Sequence, residues 1–231
     1  MRFPSIFAAA ALFVILACSG VAQAISLDDL SSKDATGGLK EALVQGVGKA
    51  VDSLGRTDGF LGNTQVRIPL PSGVEKASGM LRGLGMGKYA DELETAMNRA
   101  AESAVTEAKP LLVTAVKNMS VEDARGILQG GDDAATQYFR RSTSEPLTQK
   151  FLPVVKKAMA KVRLAEKYDQ FAGKAAKFGL VREQDTHLDQ YVTRKALDGL
   201  YLMIAEEEKS IRADPVGAAG KLARKVFGAL R

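Results

Sequence analysis

The strongest constraint on this chain is the winding of its apolar residues. Leu39, Leu43, Val47, Val51 and Leu54 recur at near-fourfold spacing and stop at Gly55, which is the pattern of one buried face of an α-helix. Leu93, Met97, Ala100, Ala104 and Val105 repeat it in a segment opening near Lys88. Pro110 is placed to start another helix, because a first turn can spare its missing N–H, and Leu111, Leu112 and Val116 follow. Ser120-Val121-Glu122-Asp123 reads as an N-cap with acids in the first turn, and Gly130 as the stop.

The later half continues in the same period. Ser144 is placed to cap a helix bearing Leu147, Phe151, Val154, Val155, Ala158 and Val162. Asp185 or Thr186 is placed to cap a long one bearing Leu188, Tyr191, Val192, Leu200, Ile204 and Ile211, and Asp214-Pro215 to open a last one. No linker of Pro/Ser-rich or low-complexity character divides these segments. The expected fold is all-α, a single-domain multi-helix bundle spanning residues 25–231.

One stretch departs from the helical period. "RTDGFLGNTQVRIPLPSG", residues 56–73, is rich in glycine and proline, and Val66, Ile68 and Leu70 alternate. This predicts a long irregular loop holding at most a short extended piece. Loops of this length in compact domains are often functional, which makes Phe60, Asn63 and Arg67 candidates for ligand contact. The favoured expectation is plainer: an apolar loop over the end of the bundle, with Phe60 and Leu61 as plugs.

The first residues read as an address. Arg2 precedes an apolar run from Ile6 to Leu16, then Gly20 and the exit Val21-Ala22-Gln23-Ala24, the layout of a secretory signal peptide over residues 1–24. The run is shorter than the about 20 apolar residues needed to cross a bilayer. Ile15-Leu16-Ala17-Cys18 also resembles a lipidation box, so Cys18 is the alternative processing point. Soluble export to a periplasmic space is favoured over a lipid anchor.

The net charge of +5 includes Arg2, so a chain starting at Ile25 carries +4. That mild basic balance suits an anionic envelope surface, and export makes nucleic acid a poor partner.

Elimination narrows the chemistry further. The single histidine is His187 and the single cysteine is Cys18. Zinc sites draw on several Cys or His ligands, and a Cys–His nucleophile has no candidate thiol in the mature chain. A Ser–His–Asp arrangement would have to use His187, whose polar neighbours suit an exposed first turn. No P-loop or dinucleotide fingerprint occurs, and no cofactor or metal is implied. A carboxylate pair, as in sugar hydrolysis, and a Ser–Lys pair survive without any signal from spacing.

The richest polar stretch is "QGGDDAATQYFRR", residues 129–141. Gly130-Gly131 reads as the end of one helix and Asp132 as the cap of the next. At about 100° per residue, Asp133, Thr136, Gln137, Arg140 and Arg141 share one arc, opposite Ala134, Ala135, Tyr138, Phe139 and Ser142. Asp at the start and Arg farther on also suit the helix dipole. The same residues make a polar ligand site: Asp132, Asp133, Gln137, Arg140 and Arg141 are its candidates, with an arginine forking onto a small anion.

The terminal segment sets Leu222, Ala223, Val226, Phe227 and Leu230 against Lys221, Arg224, Lys225 and Arg231. Lys221, Arg224 and Lys225 are candidates for peripheral membrane contact, although such helices more often dock on their own core.

Taken together, "DGFLGNTQVRIPLP", "ELETAMNRAAESA", "GGDDAATQYFRR", "FLPVVKKA", "AGKAAKFGLV" and "KALDGLYLMIAEEEKSIRADPVG" resemble one bacterial family, domain of unknown function 4197, from about Leu27 to Leu230. The resemblance implies an exported, helical envelope protein of unassigned activity and supplies no catalytic residue. It singles out Asp58 to Asn63, Gly131 to Arg141 and Glu206 to Glu208.

The expected function is a non-enzymatic, exported binding or interaction protein whose partner is an envelope protein or a small anionic ligand. The alternatives are an envelope hydrolase working through carboxylates and a lipid-surface protein using the terminal helix.

Overall fold

The computed structural model describes residues 32–72, 75, 87–161, 165, 168 and 186–214. The expected signal segment with Cys18, and the basic terminal segment with Lys221, Arg224 and Lys225, lie outside the described residues.

Among the described residues there are six helices and no strand. We number them α1 (Ser32–Gly55), α2 (Gly87–Val105), α3 (Ala108–Asn118), α4 (Val121–Gln129), α5 (Ala134–Met159) and α6 (Leu188–Ala213). The expected all-α bundle is what the chain forms. Helix α6 packs on α5, α1 and α2, while the short helices α3 and α4 bridge α1 and α5. The buried apolar residues of all six elements and of the loop join in one core.

Local chemistry accounts for most boundaries. Ser120 and Asp123 form the reciprocal cap of α4: the Ser120 hydroxyl accepts from the Asp123 amide, and the Asp123 side chain accepts from the Ser120 amide. Pro110 is the third residue of α3 rather than its first, still within the first turn, where no intrahelical N–H is needed.

Helix α5 corrects the sequence reading. Ser144 does not begin a helix; it lies inside one that runs from Ala134 through Pro146 and Pro153. Each proline strips a hydrogen bond from the carbonyl four residues earlier. Those carbonyls belong to Ser142 and Gln149, both exposed residues within reach of water. The buried line also continues without interruption, through Ala135, Phe139, Thr143, Leu147, Phe151, Val155 and Met159. A strict fourfold spacing drifts about 40° per step, so the buried stripe winds around α5 and meets several neighbours in turn.

Two caps are also displaced. The residue preceding α5 is Asp133, not Asp132, and its side chain caps nothing. The residue preceding α6 is His187 rather than Asp185 or Thr186, and it is exposed.

The loop of residues 56–72 is irregular, as expected, and buried over the bundle through Phe60, Val66, Ile68 and Leu70. It turns at Asp58 with φ 64°, then at Gly59, where a Cβ would sit 2.3 Å from the Leu54 carbonyl oxygen. Only glycine fits that closure.

Candidate functional site

Helices α5 and α6 run antiparallel. Ala135 and Thr136 meet Glu208, whereas Thr143, farther along α5, meets Tyr201, earlier on α6. Between them opens a groove of about 350 Å³ whose α5 wall carries Arg140, Ser144, Thr148 and Leu152. The α6 wall includes Gln190, Thr193, Arg194, Leu197, Asp198 and Tyr201. A cleft of this size is at the lower end of the range that takes small molecules.

Its geometry is set from below. The Tyr201 ring is buried, and its hydroxyl lies 3.0 Å from Thr143 Oγ1 and 3.2 Å from Ser144 Oγ. The Arg140 guanidinium stacks on that fixed ring, with Cζ 4.6 Å from the centroid. Arg140 Nη1 is 3.9 Å from Asp198 Oδ1, an ion pair too long to be a hydrogen bond. Both partners are about half exposed, so the pair contributes little to stability. Arg194 stacks over Tyr191 at 5.6 Å.

Thr193 is the anomaly of the groove. It is 2% exposed, and its hydroxyl has no hydrogen-bond partner among the described residues. A buried hydroxyl left without a partner costs about 1–3 kcal/mol. Nearly all other buried polar groups of native proteins are paired, which sets this hydroxyl apart.

Two further polar clusters are structural. On α2, Asn98 accepts from the Ile68 amide at 2.8 Å and donates to the Ile68 carbonyl at 2.9 Å. It thereby does for the extended loop what a neighbouring strand would do. One turn on, Glu102 accepts from the Phe60 and Leu61 amides. Arg99 bonds both Glu102 and Asp58, and those bonds raise its guanidinium pKa further, Glu102 contributing first and Asp58 next. Tyr191 adds a bond to the Pro69 carbonyl.

On α6, buried Glu208 accepts from the amides of Ala135 and Thr136 and from the Thr136 hydroxyl, each at 2.9 Å. It is the N-cap that α5 lacks in its own sequence. Arg212 holds the Glu208 carboxylate through Nε and Nη2, and Nη2 also donates to the Ile127 carbonyl at the end of α4. The pair therefore closes one helix end and opens the next.

The sequence candidates separate on this frame. Arg140 enters the groove. Arg141, Asp132 and Asp133 are exposed elsewhere, and Gln137 donates to Asp133 Oδ2 at 2.9 Å. Thr136, read as part of the polar arc, is buried against Glu208, and Ser142 is exposed rather than inward. In the loop, Phe60 is fully buried beneath Gly199, where a Cβ would meet its ring at 2.8 Å. Asn63 contacts Met203 Sδ at 3.8 Å and accepts from the Gln65 amide, and Arg67 pairs with Glu94 at 2.9 Å. All three loop residues are engaged within the fold.

Sequence reasoning missed Thr193, Asp198 and Tyr201, and it missed both clusters. One signal was available: Glu208 stands in core register between Ile204 and Ile211, where an acid is costly unless partnered. Among the described residues no three His, Cys, Asp or Glu side chains gather as a metal site would require, and no helix is long and apolar enough to cross a membrane.

No curated protein and no solved structure matches the chain. A family model described as "Protein of unknown function (DUF4197)" matches residues 29–228. With that match covering most of its length, the chain belongs to the DUF4197 family.

Proposed function

We propose that this is an exported binding protein of the cell envelope that holds a small ligand in the groove between α5 and α6 and performs no chemistry on it. The observation that carries the reading is the groove itself, in which the Arg140 guanidinium lies over the Tyr201 ring and stays 3.9 Å from Asp198. Export is supported by the layout of residues 1–24. Against hydrolysis through a carboxylate pair stands the lining itself: Asp198 is the one carboxylate among the described residues that line the groove, whereas that chemistry needs two facing acids.

The test is native mass spectrometry of the protein isolated from its own host. A non-covalent adduct is expected on the wild-type chain, and its loss from Thr148→Trp, which fills the groove from the α5 wall. An adduct that persists in that variant would sink the proposal. The mass of the same sample reports processing, and a chain beginning at Ile25 is expected.

A further inference from the structure

We infer that the groove takes a small amphipathic monocarboxylate, with its head forked by Arg140 and its apolar body lying over Leu197 and Leu152. This rests on the binding role proposed above and names the ligand class.

The head is assigned by the state of Arg140. Its guanidinium carbon lies over the Tyr201 ring, 4.6 Å from the centroid, and that ring belongs to a buried tyrosine whose hydroxyl meets Thr143 and Ser144. The cation–π contact uses none of the N–H donors. Those donors make no hydrogen bond to any described residue, and Asp198 stays at 3.9 Å. A planar fork with unused donors matches the two oxygens of a carboxylate.

Asp198 lies 3.9 Å from Arg140 with both side chains about half exposed, so it tempers the attraction of Arg140 for an incoming anion without cancelling it, and Arg194 adds a second cation to the wall. A monoanion tolerates that balance. A phosphate dianion doubles the attraction to Arg140 and Arg194 as well as the repulsion from Asp198, so the choice of a carboxylate rests on the match between its two oxygens and the guanidinium fork and on the apolar body, not on charge.

The body follows from the shape. Arg140 and Leu152 are both in the α5 wall, and the helical rise between them amounts to about 18 Å. The site is therefore long, and it suits a chain better than a compact ring. Leu152 and Leu197 supply the apolar side chains of its lining.

Isothermal titration of the full chain with octanoate, octanamide and octyl phosphate tests this. Octanoate is expected to bind about tenfold or more tightly than octanamide, the range of a charge-assisted hydrogen bond, and more tightly than octyl phosphate. Arg140→Gln is expected to remove that advantage, bringing octanoate down to the affinity of octanamide. Arg140→Lys, which keeps the charge and loses the fork, should fall between. Thr148→Trp and, at an exposed position, Gln190→Trp should abolish binding of all three, with circular dichroism showing the fold retained.

Equal affinity for octanoate and octanamide, tighter binding of octyl phosphate, failure of all three probes, or an Arg140→Gln variant that binds octanoate normally overturns the carboxylate assignment. If the tryptophan variants still block binding in such a case, or still lose the native adduct, the groove stands as a site and only its ligand class falls. Binding that survives both tryptophans removes the groove itself.

Discussion

Glu208 and Thr136, 72 residues apart in the chain, share two hydrogen bonds of 2.9 Å: the carboxylate accepts from both the amide and the hydroxyl of the threonine. An acid that sequence position alone would assign to the core of α6 is thereby the capping group of α5.

Glu208→Gln should be strongly destabilising. It leaves the Arg212 charge, only 14% exposed at its side chain, without its partner. Breaking a buried charge pair from one side costs about 3–5 kcal/mol, and Arg212 stays partly hydrated, so a loss of about 3 kcal/mol is expected by urea denaturation. Thr136→Ser keeps the hydroxyl and should stay within about 1 kcal/mol of wild type, whereas Thr136→Val should lose about 1 kcal/mol or more. A Glu208→Gln protein as stable as wild type would refute the capping role.

Asn98→Asp separates donor from acceptor in the loop clamp. A carboxylate still accepts from the Ile68 amide but cannot donate to the Ile68 carbonyl. Asn98→Asp and Asn98→Ala are both expected to cost about 2 kcal/mol or more. In each, amide exchange at Val66 to Ile68 should quicken before that of α2. Unchanged protection of the Ile68 amide in Asn98→Ala is the result that contradicts this.

The glycines of α6 and α4 should respond to alanine with opposite signs. At Gly199 a Cβ would lie 2.8 Å from Phe60 Cε1 and 3.2 Å from Val66 Cβ. Phe60 is fully buried and has nowhere to withdraw. Overpacking of about 1–3 kcal/mol should therefore exceed the helix-propensity gain of about 1 kcal/mol, and adding Phe60→Leu should recover part of the loss. At Gly126 nothing lies within 4 Å of the added Cβ, so the propensity gain stands alone and Gly126→Ala should raise the melting temperature.

Tyr138 makes stability fall on the alkaline side. Desolvation, and secondarily the charge of Asp123, raise its pKa above the ordinary value of 10.0, and its hydroxyl donates to the Ala115 carbonyl at 2.8 Å. The folded chain thus holds this proton more tightly than the unfolded chain does. The resulting stability is complete below about pH 10 and is lost as pH rises through the higher folded pKa. Tyr138→Phe should flatten the stability profile in that alkaline window, as followed by denaturant midpoints. An unchanged slope would argue that other groups set it.

Much of the scaffold was legible because helical periodicity is a local signal. The core lines of α1, α2 and α6, the reciprocal cap at Ser120 and the irregular loop were all readable from spacing. The exception, α5, misled for a definite reason: Ser144 carries a capping signal, while the fourfold line from Ala135 to Met159 continues through it and prevails through burial. The site was half legible. Arg140 could be placed on a polar arc, but its meeting with Tyr201 and Asp198 depends on the register of two helices distant in sequence, which no periodicity encodes. The phrases that carry the family resemblance do contain Asn98, Glu102, Glu208 and Arg212. These are the side chains that hold backbone from another element.

The Asn98 clamp also leads to an expectation about folding. The side chain sits on α2 and holds the Ile68 backbone, so the segment around Ile68 is expected to gain its fixed path after the helix rather than before. Refolding followed at the two places should show the helix signal rising first and the loop amides becoming protected later. A chain that borrows an asparagine in place of a neighbouring strand thus makes the shape of its longest described loop contingent on a helix formed elsewhere.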